Sequence, residues 1–244
     1  MKIAVIGTGL IGSQVARKLA AAGHEVGAHS RATGVDLLTG AGLDEAVRGA
    51  QVVVDLTNSP TFDEASVDFF RTSVTNLLAA ASGAGASHVV ALSIVGVDQV
   101  PDLVYYRAKT LQEDLVKAGP LPYSIVRATQ FMEFVPAVLA WTTDGDVVRL
   151  PATPIQPIAA AEVADAVAEV AAGAPLAGTR EVGGPEVFPL DELGRVTLAA
   201  TGDGRRVVTD ETAGMFAAVK GDVLTTSEGA HIAATHYRDW LRSR

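Results

Sequence analysis

The chain has 244 residues, 48% of them hydrophobic, and a formal net charge of −9 from 19 basic and 28 acidic side chains. A chain of this length can bury a core without staples. With no cysteine it has no disulfide, thiolate metal site or cysteine nucleophile, and its acidity is the opposite of a nucleic-acid binder's basic footprint.

Short β-rich apolar runs, each followed by a helical pattern, organise the first part of the chain. Lys2–Ile6 reads as a strand, and Ile11–Ala22 as a helix stopped by Gly23. Glu25–His29 and Gln51–Leu56 are the next two strands. A helix from Glu64 to Ser82 places Val67, Phe70, Val74, Leu77 and Leu78 on one face. His88–Leu92 is a fourth strand, Asp102–Ala118 a helix, and Tyr123–Arg127 a fifth strand, with Pro120 and Pro122 ending the helix before it. This alternation predicts right-handed parallel βαβ units: an α/β, doubly wound parallel sheet covered on both faces. The pattern weakens after Trp141, where Pro151, Pro154 and Pro157 punctuate a loop. Helices over Ala160–Ala172 and Leu190–Ala200 and a strand over Arg205–Val208 follow. The expected division is a core over 1–140 and a smaller substrate-covering C-terminal region over 141–244. No apolar run reaches the ~18 residues that a membrane helix needs. The N-terminus runs into a glycine loop and has no signal-peptide cleavage pattern, so a cytoplasmic location is expected.

Gly7-Thr8-Gly9-Leu10-Ile11-Gly12 fits G-x-G-x-x-G between a strand and a helix. That context suits a dinucleotide: the first glycine turns tightly, the second admits the pyrophosphate, and the third lets helix and strand pack closely. An acidic residue usually follows the second strand when the cofactor is NAD. Here Ser30 and Arg31 stand there instead, and a hydroxyl beside a guanidinium suits the 2′-phosphate of NADP(H). Asp36 is a candidate for the adenine amino group. Thr57, Asn58 and Ser59 leave the third strand at its carboxyl end, where such sheets bind ligands.

Tyr105 and Lys109 lie four positions apart on the predicted helix, hence on one face. A lysine cation near a phenol favours phenolate and lowers its pKa, so Tyr105 is a candidate proton donor. Tyr106 lies three positions from Lys109 and competes for that role. Ser93 ends the fourth strand, where its hydroxyl would hold a substrate carbonyl.

With these pieces in order, the chain resembles the short-chain dehydrogenase/reductase superfamily, in its atypical NmrA-like NAD(P)H-binding branch. The resemblance rests on Gly7–Gly12, Val52–Asn58, His88–Gly96, Tyr105–Lys109 and Tyr123–Phe131. It implies a Rossmann core with NADP(H), and Ser93, Tyr105 and Lys109 at the catalytic serine, tyrosine and lysine positions. It further implies that Ala128, Thr129, Gln130 and Phe131 line the nicotinamide. The asparagine-rich motif of the main reductase branch is not evident. Three readings follow: an NADPH-dependent reductase of a small apolar carbonyl, enone or quinone; a non-catalytic NADP(H) redox sensor; or an epimerase or dehydratase that retains its cofactor. The expected partners are a small-molecule substrate and a second copy in a homodimer, with no nucleic acid and no membrane. The five histidines show no metal-ligand spacing.

Overall fold

The structure, a computed structural model, describes residues 1–244. In chain order the elements begin β1 (Lys2–Ile6), α1 (Gly12–Ala21), β2 (Glu25–His29), α2 (Leu43–Val47), β3 (Val52–Asp55), α3 (Ala65–Gly83), β4 (His88–Ile94), α4 (Val104–Ala118) and β5 (Tyr123–Ala128). They continue with α5 (Val135–Trp141), β6 (Thr143–Asp144), β7 (Val147–Leu150), β8 (Pro154–Ile155), α6 (Ala160–Ala172) and β9 (Gly178–Gly183). The last are β10 (Phe188–Pro189), α7 (Leu190–Thr201), β11 (Arg206–Thr209), β12 (His231–Ile232) and α8 (Tyr237–Arg242). The chain divides into two compact units: Met1–Ser93, Val104–Arg127 and Ala161–Arg180 form the first, and Ile94–Leu103, Ala128–Ala160 and Glu181–Arg244 the second.

The first unit is built on a sheet of order β9-β5-β4-β3-β1-β2. Parallel pairing of β1 with both β2 and β3 aligns Ile6 with His29 on one side and Asp55 on the other. Asp55 in turn aligns with Ala91 of β4. This register ends β1, β2 and β3 at one level, so their loops gather along a single edge. Between β1 and β3 the chain reverses the direction in which it adds strands, and ligands bind open α/β sheets at such a switch point. β1 and β3 are almost wholly buried, as central parallel strands should be. β2 is an edge strand and stays half exposed.

Helix α1 turns Val15 and Leu19 inward and ends in a left-handed Gly23, with His24 N–H donating to the Leu19 carbonyl. On α3 the buried face holds Phe70, Val74, Leu77 and Leu78 as the spacing predicts, but Ser66, Ser73 and Ala81 share it and Val67 is only half-buried. Fully burying an aromatic such as Phe70 stabilises the fold by about 1.5–3 kcal/mol. No helix is long and apolar enough to cross a membrane.

The second unit contains a three-stranded sheet in which β7 pairs parallel with β11 and antiparallel with β6, and an antiparallel pair of β8 and β10. The end of β9 pairs with β12 through Val182 and Gly183, which completes a seven-stranded sheet. Tyr237 of α8 is fully buried, its hydroxyl 2.8 Å from that of Thr197 on α7.

Candidate functional site

The glycine loop is shaped by contacts that leave no room for side chains at two of its three glycines. Gly7 has φ +98°, and a Cβ there would lie 2.6 Å from the Leu56 carbonyl oxygen. A Cβ on Gly12 would lie 1.7 Å from the Gly7 carbonyl oxygen. Around Gly9 nothing stands within 4 Å of the Cβ position, so its backbone faces open space. Gly7 N–H donates to the His29 carbonyl at 2.8 Å, tying the loop to the end of β2. Helix α1 opens at Ile11 with no side-chain cap and no acidic residue in its first turn. Its N-terminal amides and dipole therefore face no protein anion, and a phosphate is the natural complement.

At the end of β2, Ser30 and Thr33 close a reciprocal cap: Ser30 N–H donates to the Thr33 hydroxyl at 2.9 Å, which donates back to the Ser30 carbonyl. The Arg31 guanidinium lies 3.4 Å from Asp36, whose other oxygen accepts from Leu38 N–H at 2.8 Å. Two residues read separately from the sequence thus meet as one pair. Arg31 is 66% exposed along its side chain, and an exposed pair of this kind contributes little, so the guanidinium is free to exchange partners.

β3 ends in Asp55, a buried carboxylate. One of its oxygens accepts from the Thr57 N–H at 3.0 Å and hydroxyl at 2.6 Å; the other accepts from the Gln112 amide nitrogen at 2.9 Å. Asn58 is exposed, and Ser59 is buried with its hydroxyl accepting from Thr61 N–H. Tyr105 donates its hydroxyl proton to the Asn58 side-chain oxygen. The Tyr105 ring stands edge-on to Phe62 at 4.8 Å and tilted to Phe70 at 6.3 Å.

Burial pushes the Tyr105 phenol up to about 12, against the smaller lowering effect of the Asn58 bond. The sequence led us to expect Lys109 to lower it. The outcome differs because desolvation outweighs other influences, and the lysine is occupied elsewhere. Lys109 is buried and donates to the Leu92 carbonyl at 2.7 Å and to the Gln112 amide oxygen. Its ammonium also lies 4.9 Å from the centre of the Phe70 ring. Burial lowers the Lys109 pKa to about 8, with Asp55 and Glu113 acting in the opposite sense. Tyr106 is at least as buried as Tyr105. The Ser93 hydroxyl is buried without a well-formed hydrogen bond, although it lies near enough to Glu113 to favour the charged carboxylate. Glu113 is gripped by Arg127 of β5 through bonds of 2.8 and 2.7 Å and by Lys117 at 2.9 Å. Burial opposes its charge, yet these partners hold the carboxyl below its usual range.

The first unit therefore gathers Tyr105, Lys109 and the β3 loop around side chains to which the sequence assigned no part in the site, Phe62, Phe70, Gln112 and Asp55, while Ser93 lies beside Glu113. Asp55 carried a readable signal, since a lone carboxylate closing a strand of valines is buried and must be partnered. Gln112, Phe62 and Phe70 carried none beyond helical spacing or apolarity. An open groove lined by Gly40, Leu43, Asp44, Arg48, Asn76 and Ala80 contains none of these residues.

In the second unit, Thr129 N–H donates to the Val182 carbonyl and the Gln130 carbonyl accepts from Ile158 N–H, both at 3.0 Å. The Thr129 hydroxyl and the Gln130 side-chain amide are buried without partners. Ala128 is buried, and Phe131 forms an isolated parallel bridge with Ile158. Glu133 caps α6 by accepting from Ala160 N–H at 3.0 Å. His88, in the first unit, bonds the Ser124 hydroxyl at 2.8 Å.

Solved structures share this fold at low sequence identity. A nucleoside-diphosphate-sugar epimerase from Staphylococcus aureus superposes with a TM-score of 0.73 at 16% identity, covering 99% of this chain and 100% of that one. UDP-glucose 4-epimerase of Thermus thermophilus, in complex with NAD, gives 0.69 at 20% identity over 86% of each chain. A dTDP-4-dehydrorhamnose reductase from Bacillus anthracis, in complex with NADP, gives 0.70 at 15% identity over 86% of this chain and 85% of that one. No curated protein matches the sequence. Residues 7–173, more than half of the chain and including every first-unit residue described above from the glycine loop to Arg127, match the NAD(P)H-binding family, in agreement with the short-chain dehydrogenase/reductase resemblance. The chain belongs to the NAD(P)H-binding family.

Proposed function

We propose that this protein is an NADPH-dependent oxidoreductase that reduces a small apolar carbonyl, enone or quinone. One observation carries the reading: a buried, neutral tyrosine and a buried lysine stand on one helix, in the same unit as an uncapped helix N-terminus behind a glycine loop. The loop fits a dinucleotide phosphate, because the backbone at Gly9 is open where a Cβ would otherwise project and the first-turn amides face no protein acceptor side chain. In this reading Gly7, Thr8, Gly9, Leu10, Ile11 and Gly12 hold the pyrophosphate, Ser30 and Arg31 hold the 2′-phosphate, and Asp36, Thr57, Asn58 and Ser59 serve the adenosine side. Lys109 holds the ribose hydroxyls. Bound NADPH supplies the hydride.

The protein's own contribution is the proton. Tyr105 breaks its bond to Asn58 and donates to the substrate oxygen, which the Ser93 hydroxyl orients. With its pKa raised to about 12 the phenol stays protonated at neutral pH and delivers its proton only as negative charge develops on that oxygen. Phe62, exposed and edge-on to the Tyr105 ring, favours an apolar substrate.

The test is NADPH oxidation with a panel of quinones, enones and aldehydes. The wild-type protein should turn over at least one class, and Tyr105→Phe should lose about 10²–10⁴-fold in kcat with NADPH affinity nearly unchanged. Equal rates for the two proteins would sink the assignment; loss with Tyr106→Phe instead would move it by one residue. The engaged hydroxyl of Tyr105 also supports the redox-sensor reading, in which NADPH binds tightly and no substrate in the panel is reduced.

A further inference from the structure

Two buried polar side chains, Asp55 and Gln112, have no part of their own in that chemistry but link groups that do. Thr57 donates to Asp55, the Gln112 amide nitrogen donates to Asp55 at 2.9 Å, and the Gln112 amide oxygen accepts from Lys109, which also donates to the Leu92 carbonyl at 2.7 Å. Gln112 is completely buried and Asp55 nearly so. An amide has one donor end and one acceptor end, so its two neighbours fix its orientation. The carboxylate claims the nitrogen and the ammonium is left the oxygen. Reversing the amide would set NH₂ against NH₃⁺ and C=O against COO⁻, costing two charge-assisted bonds in a dry interior.

We propose that Gln112 is a positioning residue: its side-chain amide places the Lys109 ammonium against the Leu92 carbonyl and couples it to the Asp55 carboxylate and hence to the Thr57 loop. The residues that would hold the cofactor at the end of β3 and on α4 are thereby set by one amide. Its relevance to binding rests on the reading that Lys109 meets the bound dinucleotide. The charged and titratable groups around Lys109 are few. β3 contributes Asp55, and α4 itself contributes Glu113 and Tyr105, with Glu113 engaged by Arg127 of β5 and by Lys117. From α3 comes only the Phe70 ring. Burial alone would drive the ammonium toward its neutral form. The Asp55 and Glu113 carboxylates oppose that, in keeping with a pKa of about 8, and the amide oxygen accepts from the ammonium, a bond that favours the charged form.

The experiment follows the Lys109 side chain by NMR in the cofactor-free protein with isotope-labelled lysine, and in parallel measures NADPH affinity from pH 6 to 10. Gln112→Met removes the acceptor, and Gln112→Asn keeps the amide but draws its oxygen back from Lys109 by one methylene, both with the Asp55 charge left in place. Both should lower the Lys109 titration midpoint by about one pH unit or more. NADPH affinity should fall across that midpoint and follow it downward in each variant. A purely structural role would lower the melting temperature and leave the midpoint where it is; an unmoved midpoint in a folded variant overturns the proposal. If Gln112→Met does not fold, Gln112→Asn decides by the same criterion. A midpoint that moves while NADPH affinity stays independent of pH supports the placement by Gln112 and instead removes Lys109 from the cofactor site.

Discussion

Gly9 and Gly12 sit three residues apart in one loop and make opposite demands on the fold. A methyl at Gly12 has nowhere to go, because the Gly7 carbonyl oxygen is 1.7 Å from its Cβ position. The backbone would have to move, and overpacking of this kind costs about 1–3 kcal/mol. Gly12→Ala should therefore lower the melting temperature and weaken NAD(P)H binding together. A methyl at Gly9 meets no protein atom within 4 Å. Gly9→Ala should melt as the wild type does and still lose about tenfold in NADPH affinity, roughly 1.4 kcal/mol; unchanged affinity would show that the phosphate does not lie on this loop. Arg31 gives the matching prediction for cofactor choice. Its ion pair with Asp36 is exposed and weak, while a charge-assisted bond to a 2′-phosphate is worth about 1.5–3 kcal/mol. Arg31→Ala should erode an NADPH-over-NADH preference by about tenfold or more, read by titrating both cofactors against both proteins.

Helix α4 is the element on which the candidate chemistry depends, and its far end is anchored by charge. Glu113 is 1% exposed along its side chain and bonded twice to Arg127. Removing one partner of a buried pair leaves an uncompensated charge, which costs about 3–5 kcal/mol. Glu113→Gln should lose that much stability at pH 7, read from denaturant midpoints. The sign with pH follows from the folded carboxyl lying below its usual value of 4.5. Its stabilisation is present above pH 4.5 and is lost as pH falls through the lower folded pKa. Acid unfolding of Glu113→Gln should accordingly be shallower than that of the wild type below pH 4.5. One and two turns earlier, the same helix holds Lys109 against Gln112 and Tyr105 against Asn58.

At the scale of the whole molecule, the two units are interleaved along the chain. The first takes in Ala161–Arg180, which brings most of α6 and the start of β9 to a unit otherwise built from residues before Arg127. A fragment ending at residue 140 would lack both and would leave β5 as a bare sheet edge, a template for aggregation. It should fail to give a cooperative melt, whereas the full chain should melt cooperatively and shift with ligand. NADPH at about one hundred times its dissociation constant should add about 2.7 kcal/mol. NADH at the same concentration should add less if the Ser30–Arg31 reading holds.

Local chemistry alone determined the strand–helix alternation, the glycine loop and the positions of β1 to β5. Apolar runs of strand length, helical spacing, and Gly or Pro stops act within a few residues of one another. The helix start at Val104 and the ends of β4 and β5 shifted by only one or two residues from the sequence reading. Beyond Trp141 the strands β6 to β10 and β12 and the helix α8 went unread: β8, β10 and β12 are two-residue ladders that exist only through partners distant in the chain, while β6 and β7 pair locally across Gly145 without an alternating apolar pattern to announce them. The same division runs through the site. That Tyr105 and Lys109 lie on one helix and Ser93 near the end of β4 was legible from their spacing. That Tyr105 bonds Asn58, that Lys109 turns to Gln112, and that burial rather than the lysine governs the phenol's pKa were decided only by tertiary structure. Desolvation and hydrogen-bond partners depend on what packs against a residue, and for α4 that is β3, β4 and α3, brought alongside by the sheet.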